Sequence, residues 1–194
     1  QVLDADGSTV LWDMYSLFGF TQDTVFFDLS NANADVKQKC IDLKRKVKVA
    51  LGGRALQNVR VKASPSFFDK LVAHKSVVAA WALWNQGQFG RTTQVDGDFE
   101  YCGVTFQIYE GGTSAGDFIA DGLGYAYPTG VPNMFQTAYA PANYIETVNT
   151  NGLPYYVKQE RMKFDLGVEL FSQSNPIHLN TLPEAVIKVS AAAS

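Results

Sequence analysis

The sequence predicts an α+β fold with one long amphipathic helix and strands from both ends of the chain. Two observations carry this. Val36, Cys40, Leu43, Val47 and Leu51 recur at spacings of four, three, four and four, a single apolar stripe at the helical period. Elsewhere the period drops to two, as at Val59 and Val61 or at Val104, Phe106 and Ile108, which reads as half-buried strands. The regular βα alternation of a parallel sheet is missing.

Taken in order, Thr9-Val10-Leu11-Trp12 follows a turn cluster (Asp4, Asp6, Gly7) and is extended, and residues 24–29 form a second β-rich run. Phe18-Gly19-Phe20 between them is a bend, so an arm or hairpin is expected here. Ser30-Asn31-Ala32-Asn33 offers N-cap candidates for the long helix, with Asp35 in its first turn, where the helix dipole favours a carboxylate. Gly52-Gly53 ends it. Residues 54–62 read as a strand. Ser64-Pro65 is an N-cap followed by proline at the first helical position, with Phe67, Phe68, Leu71 and Val72 on the buried side. A further helix over 76–85 buries Val77, Ala80, Trp81 and Trp84. Residues 99–109 alternate around Cys102-Gly103, and 111–130 is expected to be a glycine-rich loop. Residues 141–148 make a helical turn or two, and 153–189 hold two or three strands, broken at Asn175-Pro176 and Leu182-Pro183.

The chain has 194 residues, enough for one domain or two small ones sharing a core. It is 46% hydrophobic and 13% aromatic but only 18% charged, against about 25% in typical soluble domains. So thin a charge coat leans towards a surface meant for burial, including against other copies. The net charge of −3 rules out a basic nucleic-acid binder as a whole. No apolar run approaches the ~20 residues of a membrane span. The opening from Gln1 has neither the basic start nor the apolar core of a signal peptide, and without an initiator Met the chain is expected to be processed or a fragment. Cys40 and Cys102, far apart and outside any CxxC pair, are expected to be free, buried, reduced thiols.

The sharpest enzymatic pattern is Gly112-Thr113-Ser114-Ala115-Gly116, a G-x-S-x-G match, with Asp165 and His178 following in the order of a hydrolase triad. That elbow needs a strand turning sharply into a helix, and 117–124 has two glycines and no helical period. A serine hydrolase using Ser114, Asp165 and His178 is therefore the alternative reading. His74, beside Lys75 at a helix junction, reads as a polar surface residue, and isolated His and Cys residues do not make a zinc site. Asp4-Ala5-Asp6-Gly7 has its glycine at the fourth position, where a calcium loop needs it at the sixth. Lys37, Lys39, Lys44, Arg45, Lys46 and Lys48 gather on the long helix. They could meet nucleic-acid phosphates. Without interleaved aromatics, a solvated face with cations near the helix C-terminus is the better account.

Several stretches, in order, resemble the lambda-type tailed-phage major capsid protein family (phage capsid protein E). They begin with Asp6-Gly7-Ser8 to Trp12, Phe18-Gly19-Phe20-Thr21-Gln22, Ala50-Leu51-Gly52-Gly53 and Ser64-Pro65-Ser66-Phe67-Phe68-Asp69-Lys70-Leu71. They continue with Cys102-Gly103-Val104-Thr105-Phe106, Tyr125-Ala126-Tyr127-Pro128-Thr129-Gly130-Val131-Pro132, Tyr139-Ala140-Pro141-Ala142 and Glu146-Thr147-Val148-Asn149-Thr150. The last are Gly152-Leu153-Pro154-Tyr155-Tyr156, Lys163-Phe164-Asp165 and Gln173-Ser174-Asn175-Pro176. Cys102 departs from the pattern, where a second glycine is expected.

The resemblance covers the C-terminal portion of such a protein and implies the tailed-bacteriophage capsid fold. Residues 1–53 would hold arm or extended-loop chain and the spine helix of the peripheral domain, 54–152 the axial domain, and 153–194 the peripheral strands returning to the spine helix. It implies a structural subunit of a phage or prophage icosahedral shell, not an enzyme, with no catalytic, cofactor-binding or metal residues. Its partners would be other copies in pentamers and hexamers, scaffold, decoration and portal proteins, and packaged double-stranded DNA held non-specifically, with no membrane. The shell would assemble in the host cytoplasm. Lacking the front of such a protein, this chain alone is expected to fold without closing shells.

Overall fold

The structure, a computed structural model, describes residues 2–3, 9–85, 98–113 and 116–192. In chain order it runs β1 (Val2–Leu3), β2 (Val10–Trp12), α1 (Met14–Phe18), β3 (Thr24–Phe26), α2 (Val36–Ala50), β4 (Asn58–Ala63), α3 (Pro65–Ala73) and α4 (Lys75–Asn85). Strands follow: β5 (Phe99–Tyr101), β6 (Val104–Ile108), β7 (Gly112–Thr113), β8 (Gly116–Asp117), β9 (Leu123–Thr129), β10 (Phe135–Tyr139), β11 (Tyr156–Arg161), β12 (Val168–Gln173), β13 (Pro176–Asn180) and β14 (Ile187–Ser190). The class is mixed α and β, as the sequence predicts. Two compact units emerge, one from Phe18–Pro132 and Leu182–Ser194, the other from Gln1–Leu17 and Asn133–Thr181.

The first unit is built on a six-stranded sheet of order β3-β14-β9-β4-β6-β5, with β14/β3 and β4/β6 parallel and the other pairs antiparallel. Alternation on β4 buries Val59, Val61 and Ala63 and turns Asn58, Arg60 and Lys62 outward. Opposite them, β9 offers Ala126 to Val61 and Gly124 to Ala63. Small residues there leave room for the helices. Helix α2 lays Val36, Cys40, Leu43 and Val47, all fully buried, on this layer beside β3, β9 and β14. The valines and the leucine are each worth about 1.5–3 kcal/mol of burial. Phe27 meets the rings of Phe67 and Phe106 edge-on at 5.6 and 6.3 Å, and Phe67 stacks on Phe106 at 6.4 Å.

Capping chemistry sets the helix ends. Asp35, not the earlier asparagines, caps α2, its Oδ1 accepting from the Gln38 amide at 3.0 Å. Asn31 instead accepts from the Asn33 amide in an Asx turn (3.1 Å), so the helix starts later than 30–33 implied. Gly52 and Gly53 take φ of +58° and +87°, the left-handed exit that glycine provides without strain. Ser64 caps α3 as expected, accepting from the Phe67 amide at 3.4 Å.

Several expectations need correction. A short helix, α1, occupies part of the predicted arm, because Asp13 accepts from the Tyr15 amide (3.0 Å) and its carbonyl from Leu17 (2.9 Å). Val72 and Ala80 are exposed, since α3 and α4 turn those faces away from the sheet. Trp81 and Trp84 have side chains outside the described residues. The predicted loop 111–130 contains β9, a central strand whose alternation of Tyr125 and Tyr127 with Gly124 and Ala126 is masked by small residues on its buried face. Cys102 and Gly103, at φ +51° and +71°, form the two-residue turn joining β5 to β6, a geometry glycine or asparagine fills more readily than cysteine.

The second unit consists of two-stranded ribbons: β1–β2, β10–β13 and β11–β12, all antiparallel. Of the strands expected over 153–189 to return to the long helix, only β14 enters the sheet beneath it. β11, β12 and β13 pair within this second unit, because their registers match one another and β10.

Candidate interaction surface

Ser114 lies outside the described residues, as do Asp4, Asp6 and Gly7. Its flanks, β7 and β8, are two rungs of a small antiparallel ribbon, so a strand at Gly116–Asp117 stands where the elbow needs a helix. Asp165 sits in the turn between β11 and β12 at φ +56°, its carboxylate 3.6 Å from Arg161, both side chains exposed. His178 is exposed on β13, with Nδ1 3.0 Å from Oγ1 of Thr137, its cross-strand partner. No hydrogen bond joins His178 to Asp165, so the acid that would orient the imidazole of a triad is engaged elsewhere.

His74 is buried, contrary to the surface position expected of it. Its Nε2 donates to the Asn31 carbonyl at 3.0 Å, and Nδ1, left as the acceptor, takes the Ser76 hydroxyl (2.8 Å) and amide (3.3 Å). The residue pins the α3–α4 junction to the loop before α2. Both cysteines are free. Cys40 is fully buried, which pushes its thiol up from 9.0 to about 12, with a further rise from nearby Cys102. Cys102 is only half-buried, where both were expected inside. Among the described residues no group of three or more His, Cys, Asp or Glu gathers as a metal site would require. Nor is any described helix long and apolar enough to cross a membrane.

The cations of α2 are spread around the helix. Lys46 reaches Asp23 at 3.1 Å and Arg45 reaches Asp42 at 3.7 Å. Lys44 lies over the β5–β6 turn, where a Cβ on Gly103 would come within 2.6 Å of its Nζ. Lys37 and Lys48 are exposed and have no ion pair among the described residues.

The largest anomaly is in the second unit. Among its described residues only Met14, Met134 and Ala142 are buried hydrophobics. On the β11–β12 ribbon both faces are open: Val157 is 69% and Leu170 68% exposed on one, Phe171 58% on the other, and Phe164 at the tip 92%. A two-stranded ribbon is marginal in water by itself, and an apolar patch of this kind marks a surface that something else covers. The segment at Ile145–Thr147 supports one side only. There Lys158 Nζ pairs with Glu146 at 2.7 Å, which holds the Glu146 carboxyl below its usual range, and lies 5.3 Å from the Tyr144 ring centre. The thin charge coat points to surface meant for burial against other copies without locating it. Apolar residues at both parities, Val157 and Val168 against Tyr156 and Phe171, were the available signal.

Comparison with known proteins gives this surface a context. Residues 1–191 match the family model described as phage major capsid protein E. The major capsid protein of Salmonella phage Felix O1 (isolate Felix O1-VT1) is 29% identical over 225 residues, covering 98% of this chain and 61% of that protein. The major capsid protein of Pseudomonas phage KPP10 is 28% identical over 202 residues, covering 96% and 58%. The chain thus spans about three-fifths of the length of the curated relatives it matches. A crystal structure of a phage-related protein from Bordetella bronchiseptica RB50 superposes with a TM-score of 0.45 at 9% identity, over 89% of this chain and 57% of that one, a likeness too weak to carry an argument.

Proposed function

The chain belongs to the phage major capsid protein E family, and on that premise we propose that it is a structural subunit of a phage or prophage capsid that works by self-association and not by catalysis. The observation that carries this reading is the family match over nearly the whole chain together with two major capsid proteins aligned over 98% and 96% of it. The exposed apolar ribbon of the second unit supports it, since a subunit that completes its burial in contact with other copies has no need of a full core.

The finer reading is that copies gather into pentamers and hexamers, which close into an icosahedral shell around double-stranded DNA. Scaffold, decoration and portal proteins are the further partners, the DNA is held non-specifically, and the shell forms in the host cytoplasm. The division into a peripheral domain of 1–53 and 153–194 and an axial domain of 54–152 belongs to the same reading, although it cuts across the two compact units, since β11, β12 and β13 pair outside the sheet that holds β14. The packing of α2 on β14 and on the turn Pro183–Ala185 favours joining the first and last segments. The middle segment contributes β4, β5, β6 and β9 to the same sheet, so the division would run through that sheet. Negative-stain electron microscopy of the protein expressed from its complete reading frame is the test. Shells, tubes or ring-shaped capsomers are expected, and a monomer at every concentration would sink the reading.

A further inference from the structure

The two faces of the β11–β12 ribbon differ in chemistry. Residues directly opposite each other in an antiparallel pair share a face. Register therefore groups Tyr156, Lys158 and Glu160 with Gln173, Phe171 and Glu169. Glu160 stands opposite Glu169, a like-charge pair that disfavours the ribbon by itself. The cation on this face, Lys158, is already engaged by Glu146. Neither Glu160 nor Glu169 has an ion pair among the described residues. Beside them Phe171 stays 58% exposed, although the Tyr144 ring meets it edge-on at 6.0 Å. The face thus presents one large apolar ring flanked by two carboxylates, of which Glu160 feels Lys158 only at longer range and neither makes a direct ion pair among the described residues.

A surface of the inverse kind exists on the same chain. Arg45, Lys48 and Val49 are spaced three and four apart near the C-terminal end of α2, so they share one face. Val49 on this face is 80% exposed. Lys48 has no ion pair among the described residues, and the Arg45 pair with Asp42, at 3.7 Å with 71% of the Arg45 side chain exposed, is weak. Two ribbons cannot meet on the acidic face, because each copy's glutamates would face the other's. A contact between unlike surfaces is heterologous, and such contacts close into rings wherever the rotation between copies permits.

We infer that the Glu160–Phe171–Glu169 face of one copy docks on the Arg45–Lys48–Val49 face of a second copy. The inference rests on the self-assembly proposed above and names the surfaces that carry it. Phe171 covers Val49, and the two carboxylates take the two cations, so the repulsion within the ribbon is relieved only in the complex.

Charge reversal tests it, in the protein expressed from its complete reading frame, by sedimentation velocity across a concentration series. Glu160→Lys with Glu169→Lys, or Arg45→Glu with Lys48→Glu, is expected to weaken association by roughly tenfold or more, since like charges then face each other across the contact. A chain carrying all four reversals is expected to associate again. The milder pair Glu160→Gln with Glu169→Gln guards against misfolding: it should raise the melting temperature of the dissociated chain while weakening association. Wild-type association in the Glu160→Lys, Glu169→Lys variant, or no recovery in the fourfold variant, overturns the docking and leaves the capsid reading standing. If Arg45→Glu with Lys48→Glu abolishes retention on double-stranded DNA but leaves association unchanged, the helix face serves nucleic acid and the docking is wrong. A wild-type protein that never associates removes both.

Discussion

The imidazole of His74 reaches back 43 positions to the carbonyl of Asn31, with Nε2 donating at 3.0 Å from a buried site. The bond ties the start of α4 to the loop that launches α2. His74→Ala would remove one of the two donors to the Asn31 carbonyl, leaving the Ala34 amide at 2.9 Å, and open a small void at a buried site. Loss of one such hydrogen bond costs about 0.5–1.5 kcal/mol net. Thermal unfolding should show the fall, and a melting temperature equal to wild type would mean the bond contributes nothing.

Helix α2 is the element the first unit packs around. Leu43, fully buried at its centre, should respond to two substitutions by different mechanisms. Leu43→Pro removes a backbone bond and clashes with the preceding turn, costing ~3 kcal/mol or more. Leu43→Ala leaves a cavity worth about 2–5 kcal/mol. Far-UV circular dichroism with thermal melts measures both, and unchanged melting in either variant would remove α2 from the core.

Burial holds the proton on Cys40, raising its thiol from 9.0 to about 12. The folded protein therefore keeps a proton that the unfolded chain gives up, so the stability linked to this group is full below pH 9.0 and drains away as pH rises towards about 12. Cys40→Val should flatten the stability profile across that window. At pH 8 a disulfide reagent should titrate Cys102 quickly and Cys40 only on unfolding. Rapid labelling of both would place Cys40 at the surface.

Ser114 is expected to carry no chemistry. Asp165 pairs with Arg161 and His178 with Thr137, so neither supports a nucleophile. Ser114→Ala should change neither folding nor any ester hydrolysis. A fluorophosphonate probe that labels Ser114 and loses that labelling in His178→Ala would restore the hydrolase.

Local chemistry alone determined much of the first unit. The stripe from Val36 to Leu51, the Gly52-Gly53 stop, the Ser64-Pro65 start and the alternation at Val59 and Val61 all act over a few residues, so they are legible in one dimension. The α+β class and the family resemblance followed from such signals. What the tertiary structure decided lies where a residue's partner is remote in the chain. Strand β9 hides behind Gly124 and Ala126 because their smallness is dictated by neighbouring strands, and His74 is buried because Asn31 happens to meet it. The β11–β12 ribbon is the strongest case. A strand's sequence announces that apolar side chains will be covered, but not by what. The hydrophobic effect is non-directional and counts only area removed from water. Only the fold reveals that Val157, Leu170 and Phe171 remain open within one copy.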